Sequence, residues 1–287
     1  MKTNKFVLVA ILAFLAFDTV KAQVLDPVFP DQVFLRENTR TRKPIPYTYL
    51  READVMWSKR VWRTLDLREK FNHPLYYPES RINDRRSLFD VIKDALLAGE
   101  ITAFDNPVFD DEFKVKMSKA AIEATFVQWD STAQTEDPNN PGVMISAPVK
   151  TDLNSNNVKA YWMKEDWFFD KQRSVMDVRI LGLCPMREKA DPATGEILGY
   201  LPLFWVYFPQ CRPVFAKAEV YNTKNDGERR SLDDIFWKRM FASYIHKESN
   251  VYDRTVPAYL TNQLDQLLEA ERIKNDIFVL EHDLWHL

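Results

Sequence analysis

Glycine is scarce in this chain. It accounts for 6 of 287 residues, about 2%, against roughly 7% in an average protein. Loops that cradle phosphate need glycine so that the backbone can approach the ligand closely, and neither G-x-G-x-x-G nor G-x-x-x-x-G-K-[ST] occurs. The nucleophile-elbow pattern G-x-S-x-G is absent as well. We therefore expect no nucleotide cofactor and no hydrolase nucleophile of that kind.

Histidine is equally sparse, with four copies at positions 73, 246, 282 and 286. Only His282 and His286 have the spacing that places two imidazoles on one face of a helix. A zinc protease needs glutamate directly after the first histidine, whereas this chain has Asp283 there and no recognisable third ligand nearby. We expect neither a metal site nor a catalytic histidine.

The first residues have the features of a secretory signal peptide. Lys2 and Lys5 form a positive start, residues 6–17 form an apolar run, and small residues precede a cleavage position between Ala22 and Gln23. The run is too short for a membrane span, which needs about 20 residues. Because Gln23 is not cysteine, nothing marks the mature chain as a lipoprotein. We expect a soluble exported chain over residues 23–287.

The expected mature chain is mildly acidic. Removing residues 1–22 takes away three lysines and one aspartate, so the net charge moves from −3 to −5. Proteins that bind nucleic acids without sequence specificity usually carry a basic surface, and a net charge of −5 argues against one here. The same charge argues against electrostatic adhesion to an anionic membrane surface. Nucleic acid is therefore not an expected partner.

Only two cysteines are present, Cys184 and Cys211. Oxidising compartments favour pairing, so the expected export predicts one disulfide between them. Two separate buried thiols are the alternative. Neither thiol is an expected nucleophile, because a nucleophile would have to be free and paired with a histidine.

Prolines and composition predict the domain organisation. Residues 23–47 are expected to form an extended arm, followed by one globular α+β domain over residues 48–287. Residues 131–157 contain prolines and asparagines but no aromatic residue, which predicts a flexible loop. That loop either divides the domain in two or connects two strands of one sheet. The four prolines of the arm are Pro27, Pro30, Pro44 and Pro46.

Two similar segments predict helix starts, RRSLFDVI at 85–92 and RRSLDDIF at 229–236. In each, a serine is followed three residues later by an aspartate, which is a capping-box pattern. The pairs are Ser87 with Asp90 and Ser231 with Asp234. The apolar stripe after Ser231 extends through Met240 and Tyr244. The resemblance indicates either an internal duplication or two helices that need the same cap.

The spacing of apolar residues predicts further helices and strands. Leu50, Ala53, Trp57, Val61 and Leu65 follow helical spacing, so we expect a helix there. Residues 124–129, 158–163, 175–183 and 197–208 are typical of strands. The C-terminal residues are expected to be helical, with a stripe of Leu260, Leu264, Leu267 and Leu268. The predicted fold is α+β, an antiparallel sheet of four to five strands with helices flanking one face.

The segment KEDWFFDKQRSVMDVRI at 164–180 combines many charged and aromatic residues. Its carboxylates could supply the acid and base of a glycosidase, with the aromatics as a sugar platform. They could instead pair with nearby lysines and arginines and serve structure alone, which explains the stretch more economically. The acids are Glu165, Asp166, Asp170 and Asp177; the aromatics are Trp162, Trp167 and Phe168.

Three longer stretches carry a family resemblance: YWMKEDWFFDKQRSVMDVRILGLCP, LPLFWVYFPQCR and RSLDDIFWKRMFASYIHKESNVYDR. Together with WRTLDLREKFNHPLYYP at 62–78, they resemble the GldN/PorN family of gliding-motility and type IX secretion proteins of Bacteroidota. The similarity extends over roughly residues 47–259. It is weakest in the arm and in the 131–157 loop.

The resemblance implies a non-enzymatic periplasmic subunit that assembles with an outer-membrane lipoprotein of the GldK/PorK type into a ring. It also implies contact with the periplasmic part of a GldM/PorM-type motor component, and self-association within the ring. The chain would then be held indirectly at the inner face of the outer membrane. The alternatives are an exported carbohydrate-active or glycan-binding protein using residues 162–170, and a soluble chaperone with an exposed apolar groove.

Overall fold

The structure is a computed structural model that describes residues 41–82, 85–105, 107–108, 111–130, 134–136, 144–146, 149–190, 197–222, 225 and 228–284. These residues belong to one compact unit, Thr39–Leu287. The expected signal peptide, its cleavage position at Ala22 and Gln23, and the expected arm up to residue 40 lie outside the described residues. No helix in the described part of the chain is both long and apolar enough to cross a membrane.

A seven-stranded antiparallel sheet forms the centre of the fold. Its strands are β1 (Val55–Asp66), β2 (Ala103–Phe104), β7 (Val158–Asp170), β8 (Val175–Ala190), β9 (Ile197–Pro202), β10 (Trp205–Tyr207) and β13 (Tyr244–Glu248). Their order across the sheet is β13-β1-β7-β8-β10-β2, with β9 paired to β8. The α+β class with an antiparallel sheet is confirmed, although the sheet is larger than the expected four to five strands.

The helix expected over residues 50–65 is wrong, because this segment is a short 3₁₀ turn, Glu52–Asp54, followed by β1. A spacing of four residues keeps side chains on one face of a helix, but it also keeps them on one face of a strand. The apolar positions 57, 61 and 65 therefore fit both structures. β1 lies between β7 and β13, and residues 61–65 are all buried, as expected for an interior strand.

Seven helices are described around the sheet. They are α1 (His73–Tyr76), α2 (Leu88–Ala98), α3 (Lys119–Thr125), α4 (Phe208–Phe215), α5 (Leu232–Trp237), α6 (Val256–Tyr259) and α7 (Gln263–Leu284). The main core joins α2, α4 and α5 to one face of the sheet, which we call the helix face; Leu65, Tyr161 and Met163 point into it. α7 packs beside this core on Val61 and Ile245.

The opposite face of the sheet, which we call the open face, has a smaller aromatic cluster. It comprises Trp62, Phe104 and Trp205 with Cys184, and Phe113 and Trp162 pack against it. Directly opposed residues in antiparallel strands share a face, so Trp62 on β1 and Lys164 on β7 both point there. The sheet thus separates an apolar core from a surface that mixes aromatic and charged groups.

The serines that the sequence indicated cap their helices. The Ser87 hydroxyl accepts a hydrogen bond from the Asp90 amide at 3.1 Å at the start of α2. At α5 both halves of the capping box are present, because the Asp234 amide donates to Ser231 and the Ser231 amide donates to Asp234. α5 ends at Trp237, so the expected stripe through Tyr244 is wrong: Tyr244 begins β13.

The two RRSL segments lie on either side of Glu219. Arg85 forms an isolated parallel bridge to Glu219, and Ser231 pairs with Glu219 in the two-stranded sheet of β11 (Glu219–Val220) and β12 (Arg230–Ser231). The Arg229 guanidinium also lies 3.8 Å from the Glu219 carboxylate. The similar sequences therefore occupy neighbouring positions, on either side of the Glu219 backbone.

The segment expected to be a loop, residues 131–157, contains secondary structure. β3 (Val127–Asp130) pairs with β6 (Val149–Asp152), and β4 (Gln134–Glu136) pairs with β5 (Met144–Ser146), both antiparallel. A 3₁₀ turn at Ser155–Asn157 leads into β7. Because β3 pairs with β6 and not with β7, the hairpin stands apart from the main sheet.

The predicted disulfide is not formed, since Cys184 and Cys211 are both free and buried. Cys184 belongs to the cluster on the open face, whereas Cys211 lies in α4 within the main core on the helix face. The sheet lies between the two thiols and prevents pairing. Burial raises the pKa of both thiols, to about 12 for Cys211. The alternative of two separate buried thiols therefore holds.

Thiol titration tests this arrangement. Native protein should leave both cysteines unreacted toward an alkylating reagent, because the reactive thiolate is suppressed by burial. After unfolding without reductant, both should react, and intact mass should show two added groups. Unfolded protein that stays unlabelled until a reductant is added would contradict the free thiols.

Candidate functional site

The charged segment of β7 sends its side chains to both sides of the sheet. Glu165 is opposite Val61 and points to the helix face, whereas Asp166 is opposite Arg60 and points to the open face. This alternation separates the two adjacent carboxylates. They do not face each other across a cleft, as the acid and base of a glycosidase would.

Glu165 is fully buried and neutralised by one arginine. Arg239 donates from its two terminal nitrogens to the two carboxylate oxygens, at 2.8 and 3.1 Å, and Trp167 Nε1 donates to Oε2 at 3.1 Å. The guanidinium also lies over the rings of Trp167 and Phe241, 5.2 Å from each centroid. A buried carboxylate held by two parallel hydrogen bonds is a structural anchor.

The other acids of the segment are also paired. Asp166 accepts two hydrogen bonds from Arg60, at 2.6 and 2.8 Å. Asp170 accepts from Arg173 Nε at 2.7 Å and from the Gln172 amide at 2.9 Å. The Arg173 bond, together with the amide bonds, lowers the pKa of Asp170. Asp177 accepts a hydrogen bond from a terminal nitrogen of Arg173 at 3.1 Å.

These contacts bear on the two interpretations of the segment. An acid–base pair requires two carboxylates aimed at a substrate, with one of them protonated at working pH. Glu165, Asp166 and Asp170 each have an arginine at hydrogen-bonding distance instead. The contacts therefore favour the structural interpretation of the segment, in which these acids hold strands and neighbouring segments together.

A polar cleft of about 460 Å³ lies on the open face. Lys164 is almost fully buried there; its ammonium donates to the Asp111 carbonyl at 2.6 Å and lies 3.5 Å from the Asp111 carboxylate. Burial lowers the pKa of Lys164, and the Asp111 charge opposes that shift. Trp62 Nε1 donates to the same carboxylate at 2.7 Å. Lys164 thus fastens the segment around Asp111 onto the sheet.

The start of the described chain is attached to the body through Tyr47. Its ring stacks on Trp237 with centroids 5.4 Å apart, and the Arg212 guanidinium lies 4.3 Å from its centroid. Arg212 is itself buried and held by Asp233 at 2.9 and 3.1 Å. Arg42 forms an ion pair with Asp234 at 2.8 Å. The sequence does not reveal the contacts of Tyr47, because Arg212 and Trp237 are 165 and 190 positions away from it.

Two of the exposed apolar regions in the described part of the chain are candidates for binding a partner. One is a groove of about 670 Å³ that includes Tyr77, Ile82 and Tyr221, with the Arg85 guanidinium 5.2 Å from the Tyr221 ring centroid. The other is the outward side of α7. Exposed apolar surface flanked by charges is typical of protein interaction sites.

Comparison with known families agrees with the sequence resemblance. A family model described as "Gliding motility associated protein GldN" matches residues 50–286. The chain belongs to the GldN family. The family is a periplasmic component of the gliding-motility and type IX secretion machinery. A search of curated proteins found no match.

The family match covers every strand of the main sheet and all seven described helices. It therefore includes the arginine–carboxylate pairs of β7 and both exposed apolar regions. Tyr47 and the rest of the N-terminal segment precede the matched residues. Glu165 with Arg239 on the helix face and Asp166 with Arg60 on the open face offer a matched test of the ion pairs.

Replacing Arg239 by methionine should destabilise the protein strongly. Glu165 would remain as a buried charge without its cation, which costs about 3–5 kcal/mol. Arg60→Met is the control, because its pair with Asp166 is partly exposed and should cost about 1 kcal/mol or less. Adding Glu165→Gln to Arg239→Met should recover part of the loss. Equal losses for the two single variants in urea unfolding would contradict this account.

His246 gives the open face a dependence on pH. Its ring stacks on Trp162 with centroids 5.3 Å apart, and Nδ1 lies 2.9 Å from the Thr64 hydroxyl. Burial, reinforced by the Lys247 charge, lowers the pKa of His246 to about 3. The unfolded chain has an ordinary histidine pKa near 6.5. Between that pH and the lower pKa of the folded state, His246 is therefore protonated in the unfolded chain and neutral in the folded chain.

Acidification should consequently destabilise the wild type more than a His246→Gln variant. The extra loss should begin as the pH falls below about 6.5 and grow by up to about 1.4 kcal/mol per pH unit toward the folded-state pKa. Because part of the residue stays accessible to water, we expect less than that full slope. Urea unfolding midpoints between pH 7 and pH 4.5 measure the difference, and parallel curves would rule it out.

Proposed function

We propose that this chain is a non-enzymatic structural subunit of the type IX secretion and gliding-motility machinery. It assembles into a ring with an outer-membrane lipoprotein of the GldK/PorK type and contacts the periplasmic domain of a GldM/PorM-type motor component. The observation that carries the proposal is the family match over residues 50–286. Ring formation and both named contacts go beyond that match.

The arrangement of the charged residues supports a structural role. The acids of β7 are each bound to an arginine, so their charges stabilise contacts within the fold. Exposed aromatic and apolar side chains lie instead in the groove beside Tyr77 and on the outside of α7. Aromatic residues and arginine are enriched in the interiors of protein interfaces.

The proposed location follows from the N-terminal sequence. Residues 1–22 direct export and are removed at Ala22–Gln23, leaving an extended arm over residues 23–47 and a globular domain over residues 48–287. The lipoprotein then holds the chain at the inner face of the outer membrane. Membrane association is therefore indirect in this proposal.

One observation favours a second candidate, a chaperone for exported cargo. The groove beside Tyr77 is apolar and open, which is the feature a chaperone would use. At about 670 Å³ it is the size of a small-molecule site and holds only a few side chains of a cargo protein. A fixed subunit ratio in a stable assembly would distinguish the structural role from transient cargo binding.

Copurification tests the proposed assembly. Coexpressed with a tagged GldK/PorK-type lipoprotein, the full chain should elute with it in a high-mass complex of fixed stoichiometry, visible as rings by electron microscopy. Deleting the gene should abolish secretion of type IX cargo while other periplasmic hydrolytic activities remain. Complementation with Asp166→Asn, which removes a candidate catalytic acid at a partly exposed pair, should restore secretion.

Two outcomes would refute the proposal. The first is a chain that stays monomeric in detergent extracts that contain the lipoprotein. The second is a deletion strain that still secretes its cargo. If the Asp166→Asn strain made normal amounts of the protein but did not secrete cargo, this result would instead indicate a catalytic role for the acids of β7.

A further inference from the structure

Helix α7 is attached to the body of the protein along one side. Ala270, Ile273 and Ile277 are its fully buried residues, and they pack on Val61 and Ile245. A helix of 22 residues is about 33 Å long, yet its buried positions span only two turns near the middle. The two ends of α7 therefore contribute little to the core.

The opposite side of α7 is also apolar. We call it the outer stripe: Leu264, Leu267, Leu268, Phe278 and Val279. These side chains are 62, 54, 61, 62 and 45% exposed, and none belongs to a core cluster of the described residues. At about 100° per residue they lie together, opposite Ile273. Single exposed leucines are ordinary, but five large apolar groups on one face of a helix together form a contact surface.

The outer stripe has two parts separated by a polar turn. Leu264, Leu267 and Leu268 form the first, and Phe278 and Val279 form the second. From Leu264 to Phe278 is 14 residues, or about 21 Å along the helix. This is two heptads, so a partner helix with apolar residues every three or four positions could contact both parts at once.

The charge of α7 narrows the choice of partner. The helix has six acids and two basic residues, a net charge of −4. Both basic residues are already paired within the helix, Arg272 with Glu269 and Asp276 at 2.6 Å, and Lys274 with Glu271 at 3.0 Å.

The remaining acids border the outer stripe. Asp265 and Asp283 lie along one edge and Glu281 along the other, by the same helical spacing. The described residues form no ion pair with any of the three. The surface is thus an apolar stripe with uncompensated negative borders, and a basic partner would complete it.

Two other occupants fit this charge poorly. An anionic membrane surface would repel the acidic borders, whereas helices that lie on membranes have basic polar faces. A second copy of the same helix would bring two charges of −4 together, with no basic residue left free on either helix to compensate them.

From the stripe and its borders, we propose that the outer stripe of α7 is the docking surface for a basic amphipathic helix of a different protein. The apolar residues of that helix cover Leu264, Leu267, Leu268, Phe278 and Val279, and its lysines or arginines face Asp265, Glu281 and Asp283. The inference rests on the proposed function, because it names the kind of partner surface that an assembling subunit would meet.

Site-specific photocrosslinking in the full chain tests the inference. A benzophenone amino acid replaces Leu268 in cells that make the secretion machinery, and the crosslinked peptide is identified by mass spectrometry. The same probe at Val251, which is 97% exposed outside the stripe, serves as the matched control. We expect the Leu268 probe to capture a lysine- or arginine-rich amphipathic segment of another protein, and the Val251 probe to miss it.

Two sets of variants separate the apolar and the charged contributions. Leu264→Gln with Phe278→Gln should reduce crosslinking from Leu268 by about tenfold or more, through loss of the apolar contacts. Asp265→Asn, Glu281→Gln and Asp283→Asn together should reduce it several-fold and weaken its dependence on salt. All these side chains lie outside the buried side of α7, so unchanged thermal unfolding should show that the fold is retained.

The remaining outcomes would overturn the inference. They are crosslinking to a second copy of this chain, to lipid, or to an acidic or non-amphipathic segment, and no crosslinking at all. Failure here is distinct from failure of the proposed function. If deletion of the gene abolishes secretion but the Leu268 probe finds no basic helix, only the docking surface is wrong.

Discussion

The pairing of buried Glu165 with Arg239 is the interaction on which the arrangement of this fold depends. β7 is an interior strand of the sheet, and it carries an ionised group where burial would otherwise cost several kcal/mol. Arg239 comes from the segment between α5 and β13, so neutralising Glu165 also fixes that segment against the sheet. The edge strand β13 can then pair with β1 and provide the surface on which α7 rests.

The same principle applies on the open face with other partners. Asp166 takes its cation from the neighbouring strand β1, and Lys164 takes its acceptors from the segment around Asp111. Glu165 and Lys164 therefore each connect a separate segment of the chain to the central sheet, whereas Asp166 connects two neighbouring strands of it. The acids of residues 164–170 look like a catalytic motif in the sequence. In the fold they make separate contacts, because side chains alternate along the strand and adjacent acids point to opposite faces of the sheet.

Features that depend on neighbouring residues alone could be predicted from the sequence. Ser231 and Asp234 lie three positions apart, and a capping box needs nothing beyond that spacing and a helix start. The long strands β7 and β8 were predicted in part, residues 158–163 with the help of their aromatic residues and residues 175–183 from their valine, isoleucine and leucine residues. By contrast, the helix expected at residues 50–65 failed because the positions 57, 61 and 65 satisfy both periodicities, and only pairing with β7 and β13 decides between them.

The partners of the charged residues could not be predicted, because they are distant in the chain. Arg239 is 74 positions from Glu165, and Arg60 is 106 positions from Asp166. The two cysteines could not be placed from the sequence either. Export favours a disulfide between Cys184 and Cys211, but the number of cysteines does not reveal that the sheet lies between them. α7 adds one further step. The two basic residues of α7 pair with acids of the same helix, so the acids beside the exposed leucines have no cation opposite them among the described residues. The leucines that form a stripe in the sequence therefore form an outward-facing apolar surface in the fold.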